Sequence, residues 1–305
     1  MSRPRLVVVA GATASGKSAL ALELAERARG DVLVVDSRQV YRGMDIGTAK
    51  ATEAERQRVP HHGIDLVDPA DRFDAAMFRE HAVRGIEDTH RRGIPLVVEG
   101  GTGLWLRTLL MGLMEAPSRD DAVRAELREE ASRLGWPALH ARLAEVDPDY
   151  AARIQPNDPV RITRALEVHT LTGRPFSDFE RGHAFRERPY DVKGVFLEIG
   201  LAEHRARITA RVEAMWRGGL LEETRRLLSL LPGDHPILGT INYAQAREQL
   251  RGVMDERDAK ATAVTRTAQF AKRQRTWFRR EPWAEPITAD AQAAFLQDAL
   301  RYLGR

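Results

Sequence analysis

Residues 6–30 read LVVVAGATASGKSALALELAERARG, and the fold turns on them. Leu6 to Ala10 is a short, continuous apolar run rich in valine, the pattern of a strand buried on both faces of a parallel sheet. Gly11 to Ser18 is a glycine-punctuated turn. Lys17 to Arg29 then carries Leu20, Leu22, Leu24 and Ala25 and stops at Gly30, which predicts a helix closed by a glycine.

Working outward, Val32 to Val35 is a second buried strand, Ile94 to Val98 (IPLVV) a third and Gly194 to Gly200 (GVFLEIG) a fourth. Strands alternating with helical segments predict a parallel α/β sheet. From about Pro117 to Pro189 the character changes: charged helical segments dominate and strand-like runs are absent. Asn157-Asp158-Pro159 starts a helix there, with an Asp cap and Pro at the first helical position; it runs from Val160 to Leu171 and stops at Gly173. After Leu201 the chain is helical, with breaks at Gly218-Gly219, Pro232-Gly233 and Pro282. The expected fold class is α/β, with a P-loop NTPase-like parallel sheet core in two pieces. Residues 1–116 form the first piece, 117–190 a helical insertion, and 191–305 the second piece with C-terminal helices.

The composition allows this. At 305 residues, 43% of them hydrophobic, the chain can bury a full core and carry an insertion. The absence of cysteine excludes disulfides, thiolate zinc sites and cysteine nucleophiles. With 47 Lys+Arg against 44 Asp+Glu, the net charge of +3 matters less than where the charges lie. No signal-peptide region and no bilayer-length apolar run is present, so a soluble cytoplasmic protein is expected.

Gly11-Ala12-Thr13-Ala14-Ser15-Gly16-Lys17-Ser18 fits the pattern G-x-x-x-x-G-K-[ST], in the strand–loop–helix context it requires. Successive backbone N–H groups and a helix N-terminus make an anion-binding concavity. Lys17 adds a charge that can reach a terminal phosphate, and the Ser18 hydroxyl can ligate Mg²⁺. A ligand with a di- or triphosphate is expected, but the loop does not say which bond breaks. Open α/β sheets bind ligands beyond the carboxyl ends of their strands. Two more motifs fall there: Asp36, opening DSRQVYRGMDIGTAK (36–50), and Glu99-Gly100-Gly101-Thr102-Gly103. Read alone, Asp36 is either a turn-capping carboxylate or a functional one.

These motifs, with HHGIDLVDP from His61, EGGTGLWLRTLLMG from Glu99, NDPVRITRALEV from Asn157 and AKRQRTWFR from Ala271, resemble the bacterial tRNA dimethylallyltransferase (tRNA isopentenyltransferase) family over nearly the whole chain. The resemblance implies transfer of a dimethylallyl group from dimethylallyl diphosphate to N6 of the adenine at tRNA position 37, beside the anticodon, with Mg²⁺ as cofactor. It places Asp36 against N6 as candidate base and Thr13 near the leaving oxygen. It assigns Asp36, Ser37, Arg38 and Gln39 to the target nucleotide; an amide such as that of Gln39 can pair with an adenine edge. Thr102, Arg124, Val160, Arg161, Ile162, Thr163 and Arg164 match tRNA-contacting positions. Arg207 and Arg211 match arginines near the diphosphate, and Arg211 is the donor-binding candidate. Asn242 stands where the family usually has glycine; Asn tolerates a left-handed backbone, so the turn can survive.

The segment Arg266–Arg280 holds Arg266, Lys272, Arg273, Arg275, Arg279 and Arg280 with no acidic residue. Phe270 and Trp277, seven apart, are expected on its buried face, with Lys272 and Arg273 outward as a footprint for tRNA. Without the resemblance, this helix and the Arg161/Arg164 face read as ordinary solvated surfaces. An ATP-dependent small-molecule or nucleotide kinase is the alternative, with Asp36 serving a hydroxyl; the basic late helix is superfluous to it. An NTP switch is disfavoured because no N-K-x-D-like motif is present. His61-His62 and the tryptophans at 105, 136, 216 and 283 read as structural. A monomer is the expected state, given a tRNA-sized partner.

Overall fold

A computed structural model describes residues 3–305. Its elements run β1 (Arg5–Gly11), α1 (Lys17–Ala28), β2 (Asp31–Val35), α2 (Glu53–Arg58), β3 (His61–His62), α3 (Ala75–Arg91), β4 (Leu96–Gly100) and α4 (Gly103–Met111). Five helices follow, α5 (Asp121–Leu134), α6 (Trp136–Val146), α7 (Pro148–Ala151), α8 (Pro159–Thr172) and α9 (Phe176–His183). The chain then adds β5 (Asp191–Leu197), α10 (Leu201–Arg217), α11 (Leu220–Leu230), α12 (Tyr243–Leu250), α13 (Glu256–Phe278), β6 (Glu285–Ile287) and α14 (Gln292–Tyr302). Two compact units result: Met1–Leu110 with Arg188–Arg305, and Met111–Glu187.

In the first unit six strands form one sheet in the order β3-β2-β4-β1-β5-β6. Every pairing is parallel. β1 lies inside, with Val7 opposite Val97 of β4 and Lys193 of β5. Leu6 to Ala10 are at most 1% exposed, as a strand covered on both faces requires. Leu20, Ala21, Leu24 and Ala25 of α1 pack on one side with Phe295, Leu296 and Ala299 of α14 in the same cluster.

The parallel α/β class agrees with the sequence reading, with local differences. Helix α1 ends one residue earlier than the expected glycine stop: Arg29, at φ 51°, takes the left-handed position, and Gly30 donates to Ala25 O. Gly30 is required for closeness instead, because a Cβ there would fall on the carbonyl of Pro95. The strand expected at 194–200 runs Asp191–Leu197, where it pairs with β1. His61-His62, read as structural, forms the edge strand β3, with His62 Nε2 bonded to Asp31 Oδ2 at 2.8 Å.

The second unit, Met111–Glu187, is helical. Leu127, Leu139, Leu143, Ile162, Ala165, Leu166 and Phe176 make its core. Helix α8 begins as its sequence requires, with Asp158 accepting from Arg161 N at 3.1 Å and Gly173 closing it at φ 69°.

Candidate functional site

The carboxyl ends of β1, β2 and β4 bring three loops of the first unit together around a cavity of about 290 Å³. From the Gly11–Ser18 loop, Thr13, Lys17 and Ser18 line it; from beyond β2, Asp36 to Gln39; from beyond β4, Thr102. Ala14 and Gly16 take positive φ, 61° and 96°, which turns the loop back onto α1. Gly16 supplies no side-chain cap, so the first N–H groups of α1 remain available to an anion. Ser18 Oγ donates to Glu99 Oε2 at 2.9 Å, and Glu99 is only 5% exposed. The Glu99 motif by itself assigns this residue no role; the signal that marks it is a carboxylate at the penultimate position of an otherwise apolar strand.

Asp36 caps its turn and also borders the cavity. Its Oδ1 accepts from Arg38 N at 2.8 Å and more weakly from Gln39 N at 3.4 Å, the turn-capping pattern. Its Oδ2 has no hydrogen-bond partner among the described residues, and the carboxylate borders the cavity. Ser37 N donates to Thr102 Oγ1 at 3.1 Å, tying this loop to the one beyond β4. Gln39 is largely buried and its amide reaches Thr48 O only at 3.5 Å. Arg38 is exposed at the rim.

The opposite wall is the segment Met44–Lys50, which sequence reasoning left without a role. Glu223, 1% exposed, accepts from the amides of Asp45 (3.1 Å), Ile46 (2.9 Å) and Gly47 (3.0 Å) and from the Tyr243 hydroxyl (2.5 Å). Burial and the Glu223 carboxylate push the Tyr243 phenol far up, so it stays protonated as the donor. Lys50 Nζ, fully buried, bonds Asp45 Oδ1 and Asp65 Oδ1 at 2.6 Å each and Tyr41 O at 2.7 Å. The fastened segment presents Thr48 O to Arg211 Nη2 at 3.1 Å. Burial lowers the Arg211 pKa, and the Asp36 and Glu99 carboxylates push against that; a guanidinium stays charged under both influences. Asn242 does take a positive φ, 78°, and its side-chain amide donates to Gly47 O at 2.9 Å, a bond glycine could not make.

Helix α13 closes the site. Gln274 Oε1 accepts from Thr13 N at 2.9 Å, and Gln274 Nε2 donates to Gly101 O at 2.9 Å. His204 Nε2 bonds Thr13 O at 2.8 Å, and its Nδ1 bonds Arg275 Nη1 at 3.1 Å. Burial, then the neighbouring Arg275 and Arg207 charges, hold the His204 pKa below the usual imidazole value. Arg207 Nη1 supports Ser15 O at 3.1 Å. The expected burial of Phe270 is overturned: it is 38% exposed and lines the cavity, because the inward stripe of α13 is Ala263, Thr267, Ala271, Gln274 and Phe278. Trp277 is half-buried, with the Arg107 guanidinium 4.4 Å over its ring. Lys272 and Arg273 are exposed as expected.

The family model for IPP transferase matches residues 39–281. The chain belongs to the IPP transferase family. The chain is 50% identical to a tRNA dimethylallyltransferase of Geobacter metallireducens over 291 residues, 93% of each chain. It is 46% identical to that of Geobacter sulfurreducens over 99% of this chain and 98% of the relative. A crystal structure of the tRNA isopentenylpyrophosphate transferase of Bacillus halodurans superimposes with TM-score 0.72 at 33% identity, covering 99% of this chain and 97% of that one. A eukaryotic dimethylallyltransferase captured acting on tRNA gives TM-score 0.79 at 28% identity, covering 98% of this chain and 78% of that one.

The remaining candidates lie in the helical unit, where their side chains divide. Val160 is 76% exposed, and Arg161 is exposed and paired with Asp158 at 2.5 Å. Ile162 and Thr163 do not offer their side chains to a partner: at 0% and 7% exposure they face the unit's core, since a helix with one buried stripe turns them inward. Arg124 and Arg164 both clasp the buried Glu167, at 2.7 and 2.8 Å, and Arg164 also reaches Pro117 O at 2.8 Å.

Proposed function

We propose that the chain transfers the dimethylallyl group of dimethylallyl diphosphate to N6 of the adenine at tRNA position 37 and releases diphosphate. One observation carries the assignment of roles: Asp36, whose Oδ2 has no hydrogen-bond partner among the described residues, lines the same cavity as Thr13, Lys17 and Arg211. The N6–carbon bond forms as the carbon–oxygen bond to diphosphate breaks, and the N6 proton passes to Asp36 Oδ2. The charge gathering on the leaving oxygens is met by the loop amides, Lys17, Arg211 and the Thr13 hydroxyl. The adenine enters the cavity turned out of its loop, which costs least in single-stranded RNA. Arg38 and the half-free Gln39 amide meet that base, Thr102 holds the reading loop through Ser37, and Lys272 and Arg273 follow the RNA backbone. Val160 and Arg161 give the helical unit its own RNA-facing surface, with Arg124 and Arg164 bracing it.

The Ser18 hydroxyl beside the buried Glu99 carboxylate is an all-oxygen donor set suited to Mg²⁺, which would draw its other ligands from the donor phosphates and water. When bound, the ion neutralises charge on the departing diphosphate. No helix among the described residues is long and apolar enough to cross a membrane. The reading includes a monomer working in the cytoplasm; sedimentation equilibrium should return the 34.2 kDa of one chain.

The deciding experiment incubates the protein with unmodified tRNA, Mg²⁺ and labelled dimethylallyl diphosphate, and a parallel tube with labelled ATP. Label in tRNA is the expected result. Phosphoryl transfer from ATP without prenyl transfer would replace the proposal with a kinase.

A further inference from the structure

Thr13 is gripped through its own peptide groups. Gln274 takes its N–H at 2.9 Å and His204 takes its carbonyl at 2.8 Å. Neither side chain can drift: His204 is 2% and Gln274 8% exposed. The direction of each bond is fixed by chemistry. A guanidinium only donates, so His204 Nδ1 must accept from Arg275 Nη1, and the ring proton lies on Nε2, aimed at Thr13 O. The Gln274 amide accepts from Thr13 and donates to Gly101 O at 2.9 Å, so it also joins the loop beyond β4 to the loop beyond β1. The fit at Gly101 is tight, because a Cβ there would lie 2.7 Å from Gln274 Nε2.

The grip has something to resist. Ala14, next to Thr13, holds φ at 61°, a conformation that is strained for an L-residue and persists where surroundings impose it. Released, the loop would relax and carry the Thr13 hydroxyl away from the reacting oxygen. Gln274 and Arg275 directly follow the exposed Lys272 and Arg273 on α13, so one helix carries the candidate RNA-facing charges and the grip.

We infer that Gln274 and His204 are positioning residues for the transfer step, setting the Thr13 hydroxyl by clamping the peptide groups on either side of it. The inference rests on the proposed function and deepens it. Gln274 also borders the cavity, but both side chains act on the transfer step through the peptide groups of Thr13.

The test is steady-state transfer of labelled dimethylallyl to unmodified tRNA by the full chain, separating kcat from the two KM values. Gln274→Met and His204→Phe should each lower kcat by about 10- to 100-fold, the scale of an ångström-sized misplacement, with both KM values within about 3-fold. His204→Gln, which can again accept from Arg275 and donate to Thr13, should recover most of the kcat lost by His204→Phe. A kcat within about 3-fold of wild type in Gln274→Met and His204→Phe overturns the inference. So does a His204→Gln variant no better than His204→Phe, which would reduce the histidine to packing. Wild-type protein that moves no label would sink the function itself, and the inference with it, before any variant is made.

Discussion

Asp36 Oδ1 is occupied by the amides of Arg38 and Gln39, which orients a carboxylate that borders the cavity. Asp36→Ala should therefore leave tRNA binding within a few-fold in filter assays while lowering turnover by about 10²–10⁴, the usual worth of a positioned base. Near-normal turnover would return Asp36 to the role of a turn cap. Tyr243→Phe removes the hydroxyl that completes the shell of Glu223. It should cost roughly 1.5–3 kcal/mol in urea denaturation, as for a buried hydrogen bond to a charged group. Asp36 and Lys17 were legible in the sequence because their signals are local: a carboxylate ending a strand, a lysine closing a glycine loop. Glu223 and Gln274 were not, because they act on partners 176 and 261 residues away, where no spacing rule reaches.

Helices α8 and α13 carry the element-scale expectations. Neutralising Lys272 and Arg273 together should weaken tRNA binding and flatten its logarithmic salt dependence by roughly one per lost phosphate contact. An unchanged slope would make that stripe a solvated surface. In α8, burial raises the pKa of the Glu167 carboxyl, but the bonds from Arg124, Arg164 and Asp120 N outweigh it and hold the group below its ordinary value. A carboxylate depressed in the fold stabilises fully above its unfolded pKa, and that stability drains away as pH falls through the lower folded value. Thermal melts between pH 7 and pH 3 should show the helical unit weakening with acid. Glu167→Gln should flatten this response and cost about 3 kcal/mol at pH 7 by leaving two arginines unpaired. The start and stop of α8 were readable from its cap, proline and glycine. The strands β3 and β6, two and three residues long, were not, because so short a run has no period. Phe270 was misplaced because a seven-residue interval says two side chains share a stripe and does not say which way the stripe points.

At the scale of the whole molecule, chelation of Mg²⁺ should stop prenyl transfer while tRNA retention on a filter persists, since the charges proposed to meet RNA are side chains of the protein. The parallel α/β class came from the apolar strands, whose burial is almost independent of context. What the sequence could not show was the order in which they lie, and that order has a consequence for synthesis. β1 is sandwiched between β4 and β5, and the whole of Met111–Glu187 is translated between those two neighbours. At about 5–20 residues per second, the ribosome needs on the order of ten seconds to pass from one to the other. Throughout that interval the nascent chain holds a valine-rich strand with one edge unpaired, a template for the wrong partner. Newly made chains should accordingly depend on a holding chaperone until residues beyond Asp191 emerge, and slowing translation within Met111–Glu187 should lower the soluble yield without altering the stability of the finished protein.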